Sequence, residues 1–165
     1  MKGSIFMFGF LKKKNNELLA PVSGKVIELS QVPDEVFSQK MAGDGVAIEP
    51  SDDLVVAPAD GTLTLIFKTN HAFAMTLENG LEILVHIGLD TVELNGEGFE
   101  RLATEGETVK AGTPIVKINR KFFEEKGYKT VTPVLVTNPD ILKEMNGLVG
   151  NNVTAGKDAV ISYKK

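Results

Sequence analysis

Glycine and proline recur from Leu18 onward at roughly every dozen residues, and the apolar runs between them are too short for most helices. This spacing is typical of short antiparallel strands joined by turns. It predicts an all-β domain, an antiparallel β-sandwich or a barrel-sandwich-like fold, with a few short helical turns. Strands are predicted at residues 20–29, 45–48, 54–57, 62–67, 72–77, 81–87, 114–118, 131–136 and 159–163. Helical turns are predicted at 34–37, 121–126 and 139–145, the last capped by Asn138 with Pro139 in its first position.

Two pairs of segments resemble each other. Residues 20–26 are echoed by residues 57–63, and residues 106–116 by residues 150–160. The spacing is not periodic, which excludes a solenoid and predicts repeated strand-turn corners instead. The glycines are interpreted as ordinary turn residues, because Gly43-Asp44-Gly45 lacks the strand-to-helix context of a phosphate-binding loop.

The chain has 165 residues, enough for one domain with a substantial core. We place that domain at residues 18–165, preceded by a flexible basic-apolar leader at residues 1–17. The leader holds the apolar run 5–11 followed by three lysines, which is too short to span a bilayer and lacks a cleavage site. Two interpretations stay open, a disordered leader or an anchor that contacts anionic membranes weakly.

Composition excludes several classes of site. The chain has no cysteine, so disulfides, thiolate zinc sites and a cysteine nucleophile are excluded, and a cytoplasmic location is expected. The net charge of −4 argues against nucleic acid binding and favours docking to basic partners.

The only two histidines, His71 and His86, flank an Asn79-Gly80 pair. Asn-Gly between strand-like segments is the strongest short-range hairpin signal, because both central residues of a type I′ turn need positive φ. A two-residue loop at this pair puts Phe73 opposite His86. His71 then lies diagonally from His86 on the same face, at a backbone distance of about 7–8 Å that lets the rings meet.

Alternation along the second strand of this hairpin sets its two faces. His86 alternates with an aliphatic stripe, so both histidines are expected on the other, partly open face. The small residues Ala72, Ala74 and Thr76 are expected to face the stripe across the pair. A three-residue loop that includes Glu78 would reverse the parity and bury one histidine. The stripe, predicted to be the core side, consists of Leu81, Ile83, Val85 and Ile87.

The residues around His71 favour nucleophilic chemistry. If the segment is extended, apolar side chains and the hydroxyl of Thr69 share its face. Desolvation disfavours the charged form of imidazole, and a neutral imidazole is a nucleophile near neutral pH. We therefore interpret the two histidines as a functional pair.

Several segments together resemble the glucose-type enzyme IIA component of the bacterial phosphoenolpyruvate-dependent sugar phosphotransferase system. The resemblance runs in order from about Leu18 to the C-terminus. It implies an antiparallel β-sandwich and a phosphotransferase that works as a histidine phosphocarrier, without a cofactor or Mg²⁺. The segments that carry it are residues 20–24, 32–37, 43–48, 69–73, 85–92 and 96–99.

The resemblance also implies roles for individual residues. His86 matches the phosphorylated histidine, His71 its partner, and Thr69 the hydroxyl that orients the partner ring. Asp34 and Asp90 match carboxylates beside the site. The implied partners are the histidine-containing phosphocarrier protein HPr, the IIB domain of a sugar permease, and regulatory protein targets. The apolar collar for docking is matched by Val36, Phe37 and Phe67.

Two alternatives stay open. A lipoyl- or biotinyl-type carrier module would explain the repeated corners, but it needs a modifiable lysine at a hairpin tip, where this chain has Asn79-Gly80. A zinc hydrolase could use His71, His86 and Asp90, although catalytic zinc usually has three protein ligands and the chain lacks a His-x-His pair. The two histidines could also hold zinc with a ligand supplied by a partner.

Overall fold

The structure, a computed structural model, describes residues 16–165. The leader predicted for residues 1–17 lies almost wholly outside the described residues and stays a prediction. No helix within residues 16–165 is long and apolar enough to cross a bilayer. The strands are β1 (Glu17–Leu19), β2 (Gly24–Glu28), β3 (Asp44–Pro50), β4 (Leu54–Val56), β5 (Gly61–Ile66), β6 (Ala72–Thr76), β7 (Glu82–His86), β8 (Phe99–Arg101), β9 (Thr108–Val109), β10 (Pro114–Ile118), β11 (Thr132–Val136), β12 (Glu144–Gly147), β13 (Asn152–Val153) and β14 (Ala159–Lys164).

Helical structure in residues 16–165 is confined to short segments of three to six residues. The helix α1 (Glu35–Ser38) and the helix α2 (Arg120–Glu125) are each capped by the side chain before them, Asp34 and Asn119. Both lie close to where the sequence predicts them. Three further turns are 3₁₀ helices, at Leu29–Gln31, Thr91–Leu94 and Pro139–Ile141.

The strands form one large sheet and two small ones, and every pairing is antiparallel. The large sheet has the order β13-β2-β3-β11-β7-β6-β5-β9, and the small sheets have the orders β1-β14-β12 and β4-β10-β8. This architecture confirms the predicted all-β fold.

The centre of the large sheet is buried on both faces. Along β11 the alternate residues Val134 and Val136 join a first, larger core cluster, whereas Leu135 joins a second. Period-two alternation places these side chains on opposite faces. The second cluster is covered by the segment that carries α1, through Leu29, Val32 and Phe37. The functional site described below lies at the margin of this second cluster.

Two predicted elements are wrong in part. The strand predicted at 20–29 is formed only over Gly24–Glu28, because residues 20–23 connect β1 to β2. The helical turn predicted at 139–145 ends at Ile141, and residues from Glu144 form β12 instead. Asn138 does not cap that turn, because its side chain bonds the backbone of Glu82 and Gly80 in the neighbouring hairpin.

The loop between β6 and β7 has three residues, not two. Leu77 N donates to the carbonyl of Leu81 at 2.9 Å, which leaves Glu78, Asn79 and Gly80 as the loop. Within the described chain Gly80 has positive φ but Asn79 does not, so the type I′ turn is not formed. The register is therefore shifted by one residue from the predicted one.

This shift exchanges the faces of β6 but not of β7. The aliphatic stripe of β7 lies in the core as predicted. Opposite it lie Phe73 and Met75, which pair with Val85 and Ile83, and not the small residues that were expected. Ala72 and Ala74 instead pair with His86 and Leu84.

The repeated segments form two corners with matching hydrogen bonds. In each corner a glycine nitrogen donates to an alanine carbonyl at 2.8 Å, and a short strand pairs with the start of a longer one. The two corners also bond each other reciprocally: Leu19 N donates to Pro58 O, and Val56 N donates to Pro21 O. The prediction of repeated corners is confirmed. The matching pairs are Gly112 to Ala57 with Gly156 to Ala20, Leu63 to Glu107 with Val26 to Asn151, and Gly106 to Leu63 with Gly150 to Val26.

Candidate functional site

His86 is held at the end of β7 by the turn that follows it. Its Nδ1 lies 2.8 Å from the carbonyl oxygen of Gly88. Gly88 has φ of +77°, and a Cβ there would lie 2.6 Å from Thr91 Cγ2. Only glycine therefore fits this turn without displacement of its neighbours. Because a carbonyl oxygen only accepts, the neutral ring of His86 carries its proton on Nδ1 and its lone pair on Nε2.

His71 belongs to the loop between β5 and β6. The segment before it is not extended, because Asn70 has φ of +60° and its nitrogen bonds the carbonyl of Phe67 at 2.7 Å. The hydroxyl of Thr69 lies 2.6 Å from His71 Nδ1, and the ring of Phe67 packs edge-on against His71 at 5.2 Å between centroids. His71 is 6% exposed, as expected for one histidine when the loop has three residues.

The two imidazole rings meet edge to face, with 5.2 Å between their centroids. Strand parity alone would put them on opposite faces, but His71 lies in the loop before β6 and turns back toward His86. The strand residue paired with His86 is Ala72, whose small side chain leaves room for the ring. The pairing predicted for the histidines is thus observed, although by a different route from the predicted register.

Burial lowers the pKa of both histidines. His71 has a pKa lowered to about 4, first by burial and then by the neighbouring charge of His86. Burial also lowers the pKa of His86, but three features favour its charged form: the bond to Gly88 and the carboxylates Asp34 and Asp90. Both rings are therefore neutral at pH 7.

The two carboxylates lie beside His86 on separate elements. Asp34 accepts a bond from Val36 N at 2.9 Å and so caps α1, while Asp90 is exposed and has φ of +60°. Each acts on the charge of His86. The two carboxylates therefore form a negative rim beside the neutral ring of His86.

Two of the three apolar collar residues pack against the rings. Phe37 packs on His86 with 4.9 Å between ring centroids and is mostly buried, and Phe67 is half-buried against His71. Val36 is 47% exposed and enters the site only as the neighbour of Phe37 in α1.

One functional group was not predicted from the sequence. The carbonyl oxygen of Gly88 selects the proton position on His86, and backbone carbonyls leave no trace in a residue pattern. The available signal was indirect: a glycine two residues after a strand-borne histidine indicates a tight turn that can bring its backbone to the ring.

The arrangement suits group transfer to nitrogen. An imidazole whose lone pair is free on Nε2 can attack an electrophile, and a second neutral imidazole beside it can donate a hydrogen bond to the incoming group. Within residues 16–165 no group of three or more His, Asp or Glu side chains is placed to hold a metal ion.

Comparison with known proteins relates the chain to sugar phosphotransferase components. The family model described as phosphoenolpyruvate-dependent sugar phosphotransferase system, EIIA 1, matches residues 16–142. The PTS system glucose-specific EIIA component of Bacillus anthracis is 42% identical over 156 residues, which cover 94% of this chain and 94% of that protein.

A longer relative and a solved structure agree with this assignment. The PTS system N-acetylglucosamine-specific EIICBA component of Klebsiella pneumoniae is 44% identical over 152 residues, which are 92% of this chain but only 23% of that protein. The solved structure of glucose permease IIA from Mycoplasma capricolum superposes with a TM-score of 0.79 at 38% identity, covering 88% of this chain and 94% of that one.

Proposed function

Because the chain belongs to the EIIA 1 family of the phosphoenolpyruvate-dependent sugar phosphotransferase system, we propose that His86 is the residue that carries the phosphoryl group. As a member of that family the chain is a phosphocarrier in sugar uptake. The observation that supports His86 is its 2.8 Å bond from Nδ1 to Gly88 O, which leaves the lone pair on Nε2. Nε2 attacks phosphorus, a P–N bond forms, and the P–N bond to the donor imidazole breaks.

His71 is the second residue in the proposed transfer. When the Thr69 hydroxyl donates to His71 Nδ1, across 2.6 Å, the proton of the His71 ring lies on Nε2. That N–H donates to phosphoryl oxygens as charge shifts during a loose transition state. Its depressed pKa keeps the ring neutral. With Nδ1 bonded by Thr69 and the proton on Nε2, the ring has no free lone pair at the site and orients the phosphoryl group without accepting it.

The proposed donor is HPr and the proposed acceptor is a IIB domain of a sugar permease. Support comes from the EIICBA relative, whose name combines an A component with B and C components in one protein. The negative rim of Asp34 and Asp90 with the exposed Val36 suits partners that present basic groups around an apolar centre. The proposal places the protein in the cytoplasm and names no sugar, because the relatives differ in the sugar in their names.

The alternatives are not favoured. The matched family and the relatives described above are sugar phosphotransferase components, not hydrolases. A carrier module would need a lysine at a hairpin tip, and the observed tip of the β6–β7 hairpin is Glu78-Asn79-Gly80.

Reconstitution with phosphoenolpyruvate, enzyme I and HPr tests this proposal. We expect one acid-labile, base-stable phosphoryl group by intact mass, absent from His86→Ala. His71→Gln should still accept the group, while onward transfer to IIB falls by ~10²–10³, the typical cost of one aimed donor. Phosphorylation of the His86→Ala protein at the wild-type rate would show that another residue carries the group.

A further inference from the structure

The loop between β5 and β6 carries both Thr69 and His71. Its ends are joined by a bond from Phe67 N to Ala72 O at 2.9 Å, and an inner turn is closed by Asn70 N to Phe67 O at 2.7 Å. This loop supplies two contacts that orient the His71 ring, the Thr69 hydroxyl and the Phe67 ring. Any displacement of the loop therefore moves His71 relative to His86.

A side chain from a different sheet holds this loop at both ends of its inner turn. Arg101 Nε donates to Asn70 Oδ1 at 2.8 Å, and Arg101 Nη2 donates to the carbonyl of Phe67 at 3.1 Å. Arg101 is the last residue of β8 and pairs with Val116 of β10, so the fork is fixed to a small sheet. It links that sheet to a loop of the large sheet.

We propose that Arg101 is a positioning residue, which fixes the 67–70 turn so that Thr69 and Phe67 hold the His71 ring against His86. Its consequence for transfer rests on the proposed function of the histidine pair. The role needs arginine in particular, because two donors in a fixed fork reach two acceptors on different residues at once. A lysine is a single point of charge and cannot hold both.

An alternative role for Arg101 is electrostatic. It is an exposed cation bound to the loop that carries His71, so its charge could act on the encounter with charged partners. The two roles predict different behaviour of Arg101→Lys, which keeps the charge but loses the fork. They also differ in salt dependence, because rim charges act mainly on association.

The chain contains a matched control. Its only other arginine, Arg120, makes the same kind of two-point contact away from the histidines: Nε to Asp53 Oδ1 at 2.7 Å and Nη1 to the carbonyl of Pro50 at 3.3 Å. Arg120→Gln removes a two-point contact and an equal charge, and it also removes an ion pair with Asp53 where Arg101 bonds a neutral amide. A change in the His71 ring that occurs in both Arg101 variants but not in Arg120→Gln is therefore assigned to the loop that Arg101 holds.

The primary measurement is the ¹⁵N spectrum of the histidine rings at neutral pH, which reports the proton position without any phosphoryl transfer. In the wild-type protein and in Arg120→Gln we expect His71 in one tautomer, with the proton on Nε2. In Arg101→Gln and Arg101→Lys we expect mixed tautomers for His71 and an unchanged tautomer for His86. The unchanged His86 signal also shows that the variants are folded.

The second measurement is onward transfer to IIB. Both Arg101 variants should lower kcat by about tenfold with little change in KM, since small misplacements of a reacting group can cost up to ~10². Asn70→Gly, which keeps positive φ accessible, removes one partner of the fork. Combined with Arg101→Gln it should add little to the loss.

The outcomes separate the possibilities. A wild-type His71 tautomer and a wild-type kcat in both Arg101 variants would overturn the positioning role. Electrostatic docking would replace the positioning role if Arg101→Lys transferred at the wild-type rate while Arg101→Gln transferred slowly and its rate did not change with salt. If the wild-type protein accepts no phosphoryl group, the proposed function fails, while the tautomer measurement still decides the role of Arg101. If Arg101→Gln does not fold, Arg101→Lys gives the same test.

Discussion

Burial lowers the pKa of both imidazole rings of the site, and only His86 has neighbouring groups that oppose the effect. His71 is enclosed by its loop and by Phe67, and its pKa falls to about 4. His86 also has a lowered pKa, but Asp34, Asp90 and the Gly88 carbonyl oppose the effect of burial. Burial therefore favours the neutral form of both rings at neutral pH.

The lowered pKa of His71 predicts that the free energy of unfolding falls in acid. An unfolded histidine has a pKa of about 6.5. As the pH falls below that value, the unfolded state binds a proton at residue 71 while folded His71 stays unprotonated. The contribution of His71 is fully present above about pH 6.5, declines below it and is lost by about pH 4. The free energy of unfolding from urea titrations should fall more steeply over this interval in the wild-type protein than in His71→Gln. Parallel curves for the two proteins would contradict the assigned burial of His71.

Residue patterns predicted the members of the site well and their connections poorly. The isolation of two histidines in one hairpin, with Thr69 beside the first, was enough to pair them. The bond from His86 to the Gly88 carbonyl and the fork of Arg101 were not predictable. The first uses a backbone atom, and the second joins residues 31 positions apart on different sheets.

At the scale of elements, the site depends on where short turns end. The helix α1 is a single turn in which Asp34 accepts a bond from Val36 N, and the 3₁₀ turn 91–94 begins just after Asp90, at positive φ. The carboxylate of Asp34 therefore has a capping role besides its charge, whereas the structural part of Asp90 is the positive φ of its backbone. A test of docking must remove the charge and keep the local backbone.

Asn at both positions meets this requirement. Asparagine is as good an N-cap as aspartate and tolerates positive φ. Asp34→Asn with Asp90→Asn should slow association with HPr severalfold at low salt and weaken its salt dependence, because rim charges act mainly on the encounter rate. Stopped-flow association at two ionic strengths measures both effects.

A control separates capping from charge. Asp34→Ala loses the cap as well as the charge, and should cost about 1 kcal/mol of unfolding free energy that the Asn pair does not. If the Asn pair associates with HPr at the wild-type rate at low and high salt, these carboxylates are not part of the docking surface.

Loop length was the main error at this scale. The Asn-Gly signal located the β6–β7 hairpin, but it could not count the loop residues, and one residue more reversed the faces of β6. The longer loop is closed by its own hydrogen bonds and is also contacted from outside the hairpin. Asn79 Nδ2 bonds the hydroxyl of Tyr163 in β14, 84 residues away.

At the scale of the whole molecule, the two corners formed by the repeated segments bond and pack against each other. The corner glycines Gly112 and Gly156 lie against each other, and a Cβ on Gly156 would be 3.1 Å from Gly112 Cα. Their nitrogens make the equivalent bonds to Ala57 and Ala20. A methyl group on Gly156 would thus be closer than ordinary van der Waals contact, whereas a Cβ on Gly112 would lie 4.0 Å from Gly156 Cα.

Two glycines allow the packing to be measured separately from backbone strain. Gly156 and Gly150 both have positive φ, +72° and +99°, but a Cβ on Gly150 would meet nothing within 4 Å. Gly150→Ala should cost about 1–2 kcal/mol from conformation alone, and Gly156→Ala a further ~1–3 kcal/mol from overpacking. Urea denaturation of the two variants measures the difference. Equal losses would show that the corners tolerate a methyl group between them.

The similarity between the repeated segments was apparent from the sequence, but the reciprocal hydrogen bonding between the two corners was not. Residues 20–26 and 57–63 could have belonged to two independent corners. That each corner donates a bond to the other depends on chain paths that no local pattern encodes, because contacts between distant segments are set by the complete packing.

The pairing of β1 with β14 has a consequence for biosynthesis. Among residues 16–165 the strand Glu17–Leu19 pairs only with Ala159–Lys164, about 140 residues later. At roughly 5–20 residues per second, a ribosome needs about 7–30 s to add the missing strand. During that time the strand Glu17–Leu19 lacks the one neighbour that the described chain gives it in its sheet. The molecule therefore closes as a late event, after the last strand has left the ribosome.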